Sequence, residues 1–154
     1  MNDNYMSWYE HMNDISYKIV KQLDSIQLPF NPVVIFDIDN TLLHSNGTCI
    51  MPIVNVYNHV KKIGIIPIII TNRLGIIPII EFTQNQLKNC GITGYKSIYF
   101  RDPEKDNDAY TYKKKARHNV YKRGMNILMS IGDKKYDIGD YGGIGVIVPI
   151  LKKK

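Results

Sequence analysis

A chain of 154 residues and 17.8 kDa is long enough for one hydrophobic core, since folding at that size buries roughly 68–70% of the unfolded surface. Hydrophobic residues at 44% and charged residues at 22% exclude wholesale disorder. The formal charge of +6 falls to +3 once Lys152, Lys153 and Lys154 are set aside as a solvated tail, too mild a balance to call for nucleic acid.

Cys49 and Cys90 stand 41 positions apart with no CxxC and no histidine cluster. Neither a zinc site nor a disulfide is expected, and a reducing compartment is the default. Asp3 and Glu10 precede the first basic residue, Lys18, which is the wrong order for a signal peptide. The longest apolar run, Ile65–Ile70, falls far short of the ~18 residues that span a bilayer. A soluble cytoplasmic protein without a membrane partner is expected. Heavy use of Ile, Asn, Lys and Tyr is that of an AT-rich coding genome, a viral one included.

In chain order, Tyr5, Trp8, Tyr9, Met12, Ile15, Ile19, Val20 and Leu23 fall on one helix face within an N-terminal helical segment, 1–28. Pro29 and Pro32 end that segment and lead into Val33–Phe36, a β-branched run that reads as a buried strand. Pro52–Ile63 starts with proline and stops before Gly64, which predicts a helix. Ile65–Ile70 predicts a second strand, with Pro67 pointing to a bulge or an edge. Ile79–Cys90 is a helix closed by Gly91, and Ser97–Phe100 a short third strand. Asp102–Asp108 is a polar loop long enough to be mobile. Tyr112–Arg123 is a basic helix, followed by strands at Ile127–Ile131 and Val146–Val148. Strand and helix alternate throughout. The expected fold is therefore α/β, a five-stranded parallel sheet between two helix layers, formed by 1–154 as one domain with a basic tail at 150–154.

Ligands of open parallel sheets bind beyond the carboxyl ends of the strands. Those ends carry Asp37-Ile38-Asp39-Asn40-Thr41, Thr71-Asn72-Arg73, Arg101-Asp102 and Gly132-Asp133, with Asp137 four residues on. Lys113-Lys114-Lys115 opens the basic helix. Carboxylates, a hydroxyl and a lysine gathered at one edge can hold a magnesium ion and a phosphate. Blander readings stand beside this one. The two aspartates can begin a turn, the lysines can form an exposed face, and Asp137 can cap the next helix. Arg73 is either structural or in contact with substrate. His44, His59 and His118 lack ligand spacing and read as ordinary core or surface residues.

Phe36–Leu43 resembles the first motif, DxDxT, of the haloacid dehalogenase (HAD) superfamily of phosphatases. Ile70–Arg73 resembles the second motif, the lysine cluster the third, and Ile131–Asp137 the fourth, GDxxxD, in the same order and at matching strand ends. Tyr112-Lys113 followed by Arg117 is similar to the class B, plant-type acid phosphatase branch, subfamily IIIB, and that spacing selects Lys113 over Lys114. The resemblance implies a three-layer Rossmann-like core and a Mg²⁺-dependent phosphomonoesterase. Asp37 would be the nucleophile and Asp39 the acid and base, both sides of the pair facing one pocket. Asp37, Asp39 (through its carbonyl), Asp133 and Asp137 would hold the metal. Thr71, Asn72, Arg73 and Lys113 would bind the phosphoryl group. Asn40 and Lys134-Lys135-Tyr136 depart from the branch's pattern and leave substrate choice open.

The gaps between motifs are too short for a folded cap, so a capless, open site is expected. A small phosphorylated metabolite or nucleotide is the favoured substrate. The rival readings are a polynucleotide or phosphoprotein phosphatase and an inactive HAD-fold binding or storage-like protein. No nucleic-acid partner is expected, and oligomerisation stays open.

Overall fold

The computed structural model describes residues 3–152. Lys153 and Lys154 of the expected tail lie outside the described residues. The elements run α1 (Asp3–Asp24), β1 (Pro32–Phe36), α2 (Met51–Lys62), β2 (Ile66–Leu74), α3 (Ile77–Asn89), β3 (Ser97–Arg101), α4 (Ala109–Lys122), β4 (Asn126–Gly132), a 3-10 turn (Lys135–Asp137) and β5 (Ile144–Ile147). The sheet order is β3-β2-β1-β4-β5 and every pairing is parallel. This is the α/β sheet anticipated from the alternating pattern. It puts β1 at the centre, so the residues after Phe36 emerge between the ends of β2 and β4.

Alternation along each strand explains why the strands read as unbroken apolar runs. Val34, Phe36, Ile69, Met129 and Ile131 face α1, α2 and Leu87 of α3. Val33, Ile35, Ile68 and Ile70 face Tyr112, Ala116 and Val120 of α4. Both faces are therefore covered, as a parallel sheet requires. Helix α1 buries Trp8, Met12, Ile19 and Leu23 in the first of these clusters. Ser16 Oγ donates to Pro52 O at 2.8 Å and Trp8 Nε1 to Pro149 O at 2.9 Å, fixing α1 to the start of α2 and to the chain after β5. Packing, rather than shading of the strand ends, accounts for its aromatic stripe.

Strand β2 runs on to Leu74, past the predicted stop at Ile70. Pro67 makes neither an edge nor a bulge, because β2 is interior and Pro67 lies one residue in from its start, ahead of the β3 ladder that opens at Ile68↔Ser97. The register shift falls instead between Ile70 and Leu74, where the β3 pairing lapses and frees Thr71, Asn72 and Arg73. Irregularities of this kind re-aim side chains beside functional sites. The Asp102–Asp108 loop is tied internally: Asp102 Oδ1 accepts from the amides of Glu104 (2.8 Å) and Lys105 (3.2 Å), and Asp106 Oδ2 from that of Asp102 (2.9 Å).

The cysteine expectation is overturned: Cys49 and Cys90 form a disulfide. Spacing along the chain did not reveal that a small hairpin, closed by the Leu43↔Cys49 bridge, returns Cys49 to the end of α3. With both cysteines paired, their usage no longer points to a reducing compartment. Closing a loop over a separation of 41 residues is worth about 4 kcal/mol in the chain-entropy picture. Reduction, or Cys49→Ser, should then lower Tm by roughly 8–16 °C, at 2–4 °C per kcal/mol for this size. A melting curve unmoved by dithiothreitol would show that the bridge adds nothing.

Candidate active site

At the end of β1 the Asp37 amide still donates to Ile131 O of β4 at 3.0 Å, so its carboxylate starts from the rigid centre of the sheet. The chain then turns hard: the amides of Thr41, Leu42 and Leu43 all donate to Ile38 O at 2.9–3.1 Å. Asn40 takes the left-handed φ of 60° that this turn demands, a conformation asparagine tolerates better than most residues.

Helix α4 delivers Lys113 from the opposite layer. Its Nζ donates to Asp37 Oδ1 at 3.0 Å and to Ile70 O at 2.6 Å, and stands 2.7 Å from Asp137 Oδ1. The lysine side chain is 2% exposed, whereas that of Lys114 is 54% exposed and pairs with Asp140 at 3.0 Å. Lys113 is thus the member of the cluster that enters the cleft. Arg117, one turn on, is also buried; it donates to Asp140 O (2.9 Å) and Tyr136 O (2.8 Å), holding the loop that carries Asp137.

Oxygens of Asp37, Asp133 and Asp137 lie within 4.8 Å of one another. Gly132 explains part of this closeness, because a Cβ there would collide with the Asp137 side chain. Burial, against the opposing charge of Lys113 and with help from Asp133, pushes the Asp37 carboxyl up to about 6. Burial and then the Asp37 charge push Asp137 to about 6, with Lys113 again opposing. Burial pulls Lys113 down, yet the charges of Asp37 and Asp137 outweigh it and leave the lysine pKa raised. Two buried carboxylates, Asp37 and Asp137, thus share one ammonium with Asp133 close beside them, and hard oxygen donors short of positive charge suit a divalent cation such as Mg²⁺. Asp137 is the most committed of the three, since Lys113 lies beside its Oδ1 and the Lys134 amide donates to its Oδ2 at 3.1 Å.

Asp39 stands apart from this trio. Its oxygens accept from Arg73 Nε (3.0 Å) and Nη2 (2.8 Å), a bidentate clamp. Arg73 Nη1 donates in turn to Thr83 Oγ1 (3.0 Å) and Gln86 Oε1 (2.6 Å) of α3. Thr71 is fully buried, and its Oγ1 accepts the Arg73 amide at 3.1 Å. Asn72 Oδ1 is buried without a partner, while its carbonyl accepts from Arg101 Nε at 3.2 Å. Thr83 and Gln86 were not legible as site residues from the chain alone. Only their i, i+3 spacing on the helix after the second motif was available as a signal. Of the histidines, His59 pairs with Asp24 (2.6 Å), and His44 and His118 pack on Trp8 and Tyr141 at 5.1 and 4.4 Å.

A family model for the HAD superfamily, subfamily IIIB (Acid phosphatase), matches residues 47–148. The chain belongs to subfamily IIIB. That match begins after Asp37 and Asp39 and takes in Thr71, Lys113, Asp133 and Asp137. Two Arabidopsis thaliana proteins are similar over 84 residues: vegetative storage protein 1 at 32% identity and vegetative storage protein 2 at 29%, each alignment covering 54% of this chain. The aligned stretch spans only 30% and 31% of those two relatives. Among solved structures, a Pnkp1/Rnl/Hen1 complex has a similar fold at a TM-score of 0.70 and 17% identity, covering 82% of this chain and 49% of the other. The Bacillus anthracis class C acid phosphatase with tungstate bound follows at 0.64 and 15%, covering 93% and 76%. The family's sheet needs no inserted domain here: only a hairpin and α2 separate β1 from β2, and only α3 separates β2 from β3.

Proposed function

We propose that residues 1–154 work as one capless phosphomonoester hydrolase that passes through an aspartyl-phosphate on Asp37. The observation that carries this is Lys113, buried between Asp37 and Asp137 beside Asp133. Burying charges in this way costs stability, and such clusters gather where chemistry uses them. A storage role, suggested by the names of the plant relatives, gives no reason to keep them.

An Asp37 oxygen attacks phosphorus as the bond to the leaving oxygen breaks, and Asp39 gives that oxygen its proton. Asp39 then takes a proton from water, whose oxygen bonds to phosphorus while the Asp37–phosphorus bond breaks, releasing inorganic phosphate. Thr71 and an amide near Asn72 hold phosphoryl oxygens, and Lys113 offsets charge between nucleophile and phosphate. Asp37, the Asp39 carbonyl and Asp133 would hold Mg²⁺, with Asp137 chiefly anchoring Lys113. Bound there, the cation neutralises the anionic oxygens that otherwise repel a carboxylate.

A small phosphorylated metabolite or nucleotide is the substrate class we favour over a nucleic-acid end. The basic stretch of α4 is largely committed: Lys113 is buried, Lys114 pairs with Asp140, and Lys115 pairs with Asp106 at 2.5 Å. No helix of the described residues is long and apolar enough to cross a membrane. The disulfide pulls against the cytoplasmic location read from the N-terminus.

Hydrolysis of p-nitrophenyl phosphate should vanish in EDTA and return with Mg²⁺, and undiminished turnover in metal-free buffer would overturn the proposal. The same cation should be visible in melting. Asp37 and Asp137 titrate near 6 in the folded chain, against an unfolded value of 3.8. The folded state therefore binds more protons between those values, and metal-free stability falls as pH rises through about 6. Mg²⁺ should relieve that loss, raising Tm more at pH 7.5 than at pH 5. At 100 times Kd the gain is about 2.7 kcal/mol.

A further inference from the structure

Arg73 directs three of its nitrogens at fixed partners. Nε and Nη2 hold both oxygens of Asp39, while Nη1 is held by Thr83 Oγ1 and Gln86 Oε1. The Asp39 side chain is 43% exposed and the Arg73 side chain 13%, so the carboxylate reaches toward solvent from an anchor that does not. A long arginine gripped at one end only would swing. Gripped at both ends, it fixes the carboxylate that it holds.

The far grip is itself fixed. Thr83 is fully buried, and Gln86 lies so close beneath Gly47 that a Cβ there would collide with its amide. The Cys49–Cys90 disulfide ties the same hairpin to the end of α3. An unbroken set of contacts thus joins hairpin, α3, Arg73 and Asp39. The two hydrogen bonds from Arg73 take one acceptor position on each Asp39 oxygen and leave the others open.

We propose that Thr83 and Gln86 are positioning residues for proton transfer to the leaving group, acting through Arg73 on Asp39. This rests on the phosphatase reading above. In the step concerned, the Asp39 carboxyl proton passes to the leaving oxygen as its bond to phosphorus breaks and the Asp37 oxygen bonds to phosphorus. An alkyl leaving group needs that proton, whereas p-nitrophenolate departs nearly without it. Loosening Asp39 therefore affects the two ester classes unequally, which a general loss of structure does not.

The test measures kcat/KM for glycerol phosphate, p-nitrophenyl phosphate and a series of substituted phenyl phosphates. Thr83→Val and Gln86→Leu remove the acceptors, while Thr83→Ser and Gln86→Glu keep them. General acid help is typically ~10²–10⁴-fold, so the first pair should lose roughly 10–10²-fold on glycerol phosphate and no more than about threefold on p-nitrophenyl phosphate. The dependence of log kcat/KM on leaving-group pKa should steepen, and the second pair should restore it. Equal losses on both esters, or no loss, would overturn the inference. Should Thr83→Val not fold, Gln86→Leu decides alone, because Gln86 is only half-buried. A wild-type protein inactive on every ester would instead overturn the phosphatase reading, and this inference with it.

Discussion

Asp37→Asn is expected to bring turnover of p-nitrophenyl phosphate to background while leaving a folded protein. The amide oxygen is neutral and cannot form the acyl-phosphate, so no slower version of the same route remains. The fold should not suffer. Burial raises the Asp37 pKa to about 6, so at pH 7.5 the ionised carboxylate of the metal-free chain is a cost to stability, and a neutral isostere removes it. The variant should therefore melt no lower than wild type in EDTA at pH 7.5. Asp39→Asn supplies the contrast. It keeps the nucleophile and loses the acid and base, a deficit of typically ~10²–10⁴-fold, so it should be slow rather than dead. Without a base to activate water, phosphoenzyme should accumulate, visible as a burst or an added phosphate mass on the intact chain. Near-native turnover by Asp37→Asn would mean that the aspartyl-phosphate mechanism is wrong.

Such variants can be chosen because much of the site lies close to elements that a single sequence reveals. Val33–Phe36 is apolar on both faces and stops at Asp37, and only a buried central strand accommodates that run. The apolar runs of its two neighbours likewise give way to polar residues at Thr71 and Asp133, so three such points lie side by side in the sheet without any knowledge of side-chain contacts. Lys113 is separated from Lys114 by the resemblance of the Tyr112-Lys113 to Arg117 spacing to the acid phosphatase branch, a spacing that puts Lys113 and Arg117 on one helix face. In the folded chain both are buried on the side of α4 that meets the Asp137 loop.

What was illegible depends on contacts between segments distant in sequence. Cys49 and Cys90 look unrelated until a tight hairpin brings the first to the end of the helix carrying the second. Pro67 suggests a sheet edge, yet near the start of an interior strand its missing amide does no harm. Arg73 reads from the sequence equally as structural or as touching substrate, because its partners Asp39, Thr83 and Gln86 lie well away from it in sequence, one before it and two after. Local pattern places a charge at a strand end. It does not say which other charge that one will meet.

Lys113→Met should damage the cleft in turnover and in stability together. The variant keeps most of the side-chain volume but removes the ammonium that donates to Asp37 at 3.0 Å and sits 2.7 Å from Asp137. Loss of one preorganised cation beside the developing phosphoryl charge should reduce kcat on the order of 10²–10³-fold. Breaking a buried ion pair by removing one partner typically costs ~3–5 kcal/mol, because the remaining charges stay buried and unpaired. The pH dependence identifies the cause. Lys113 holds both carboxyl pKa values down against burial, so without it they rise further above their unfolded value. A raised carboxyl pKa stabilises the fold below the unfolded value and loses that contribution as pH climbs through the folded one. The deficit of Lys113→Met in EDTA should thus be greatest near pH 7.5 and shrink steadily toward pH 4.5. Lys114→Ala removes only an exposed pair with Asp140, worth under about 1 kcal/mol, and should leave turnover as it was. If the two variants exchanged these behaviours, the assignment of Lys113 to the cleft would fall. If Lys113→Met lost stability equally at every pH, the repulsion between Asp37 and Asp137 would not be what the lysine relieves.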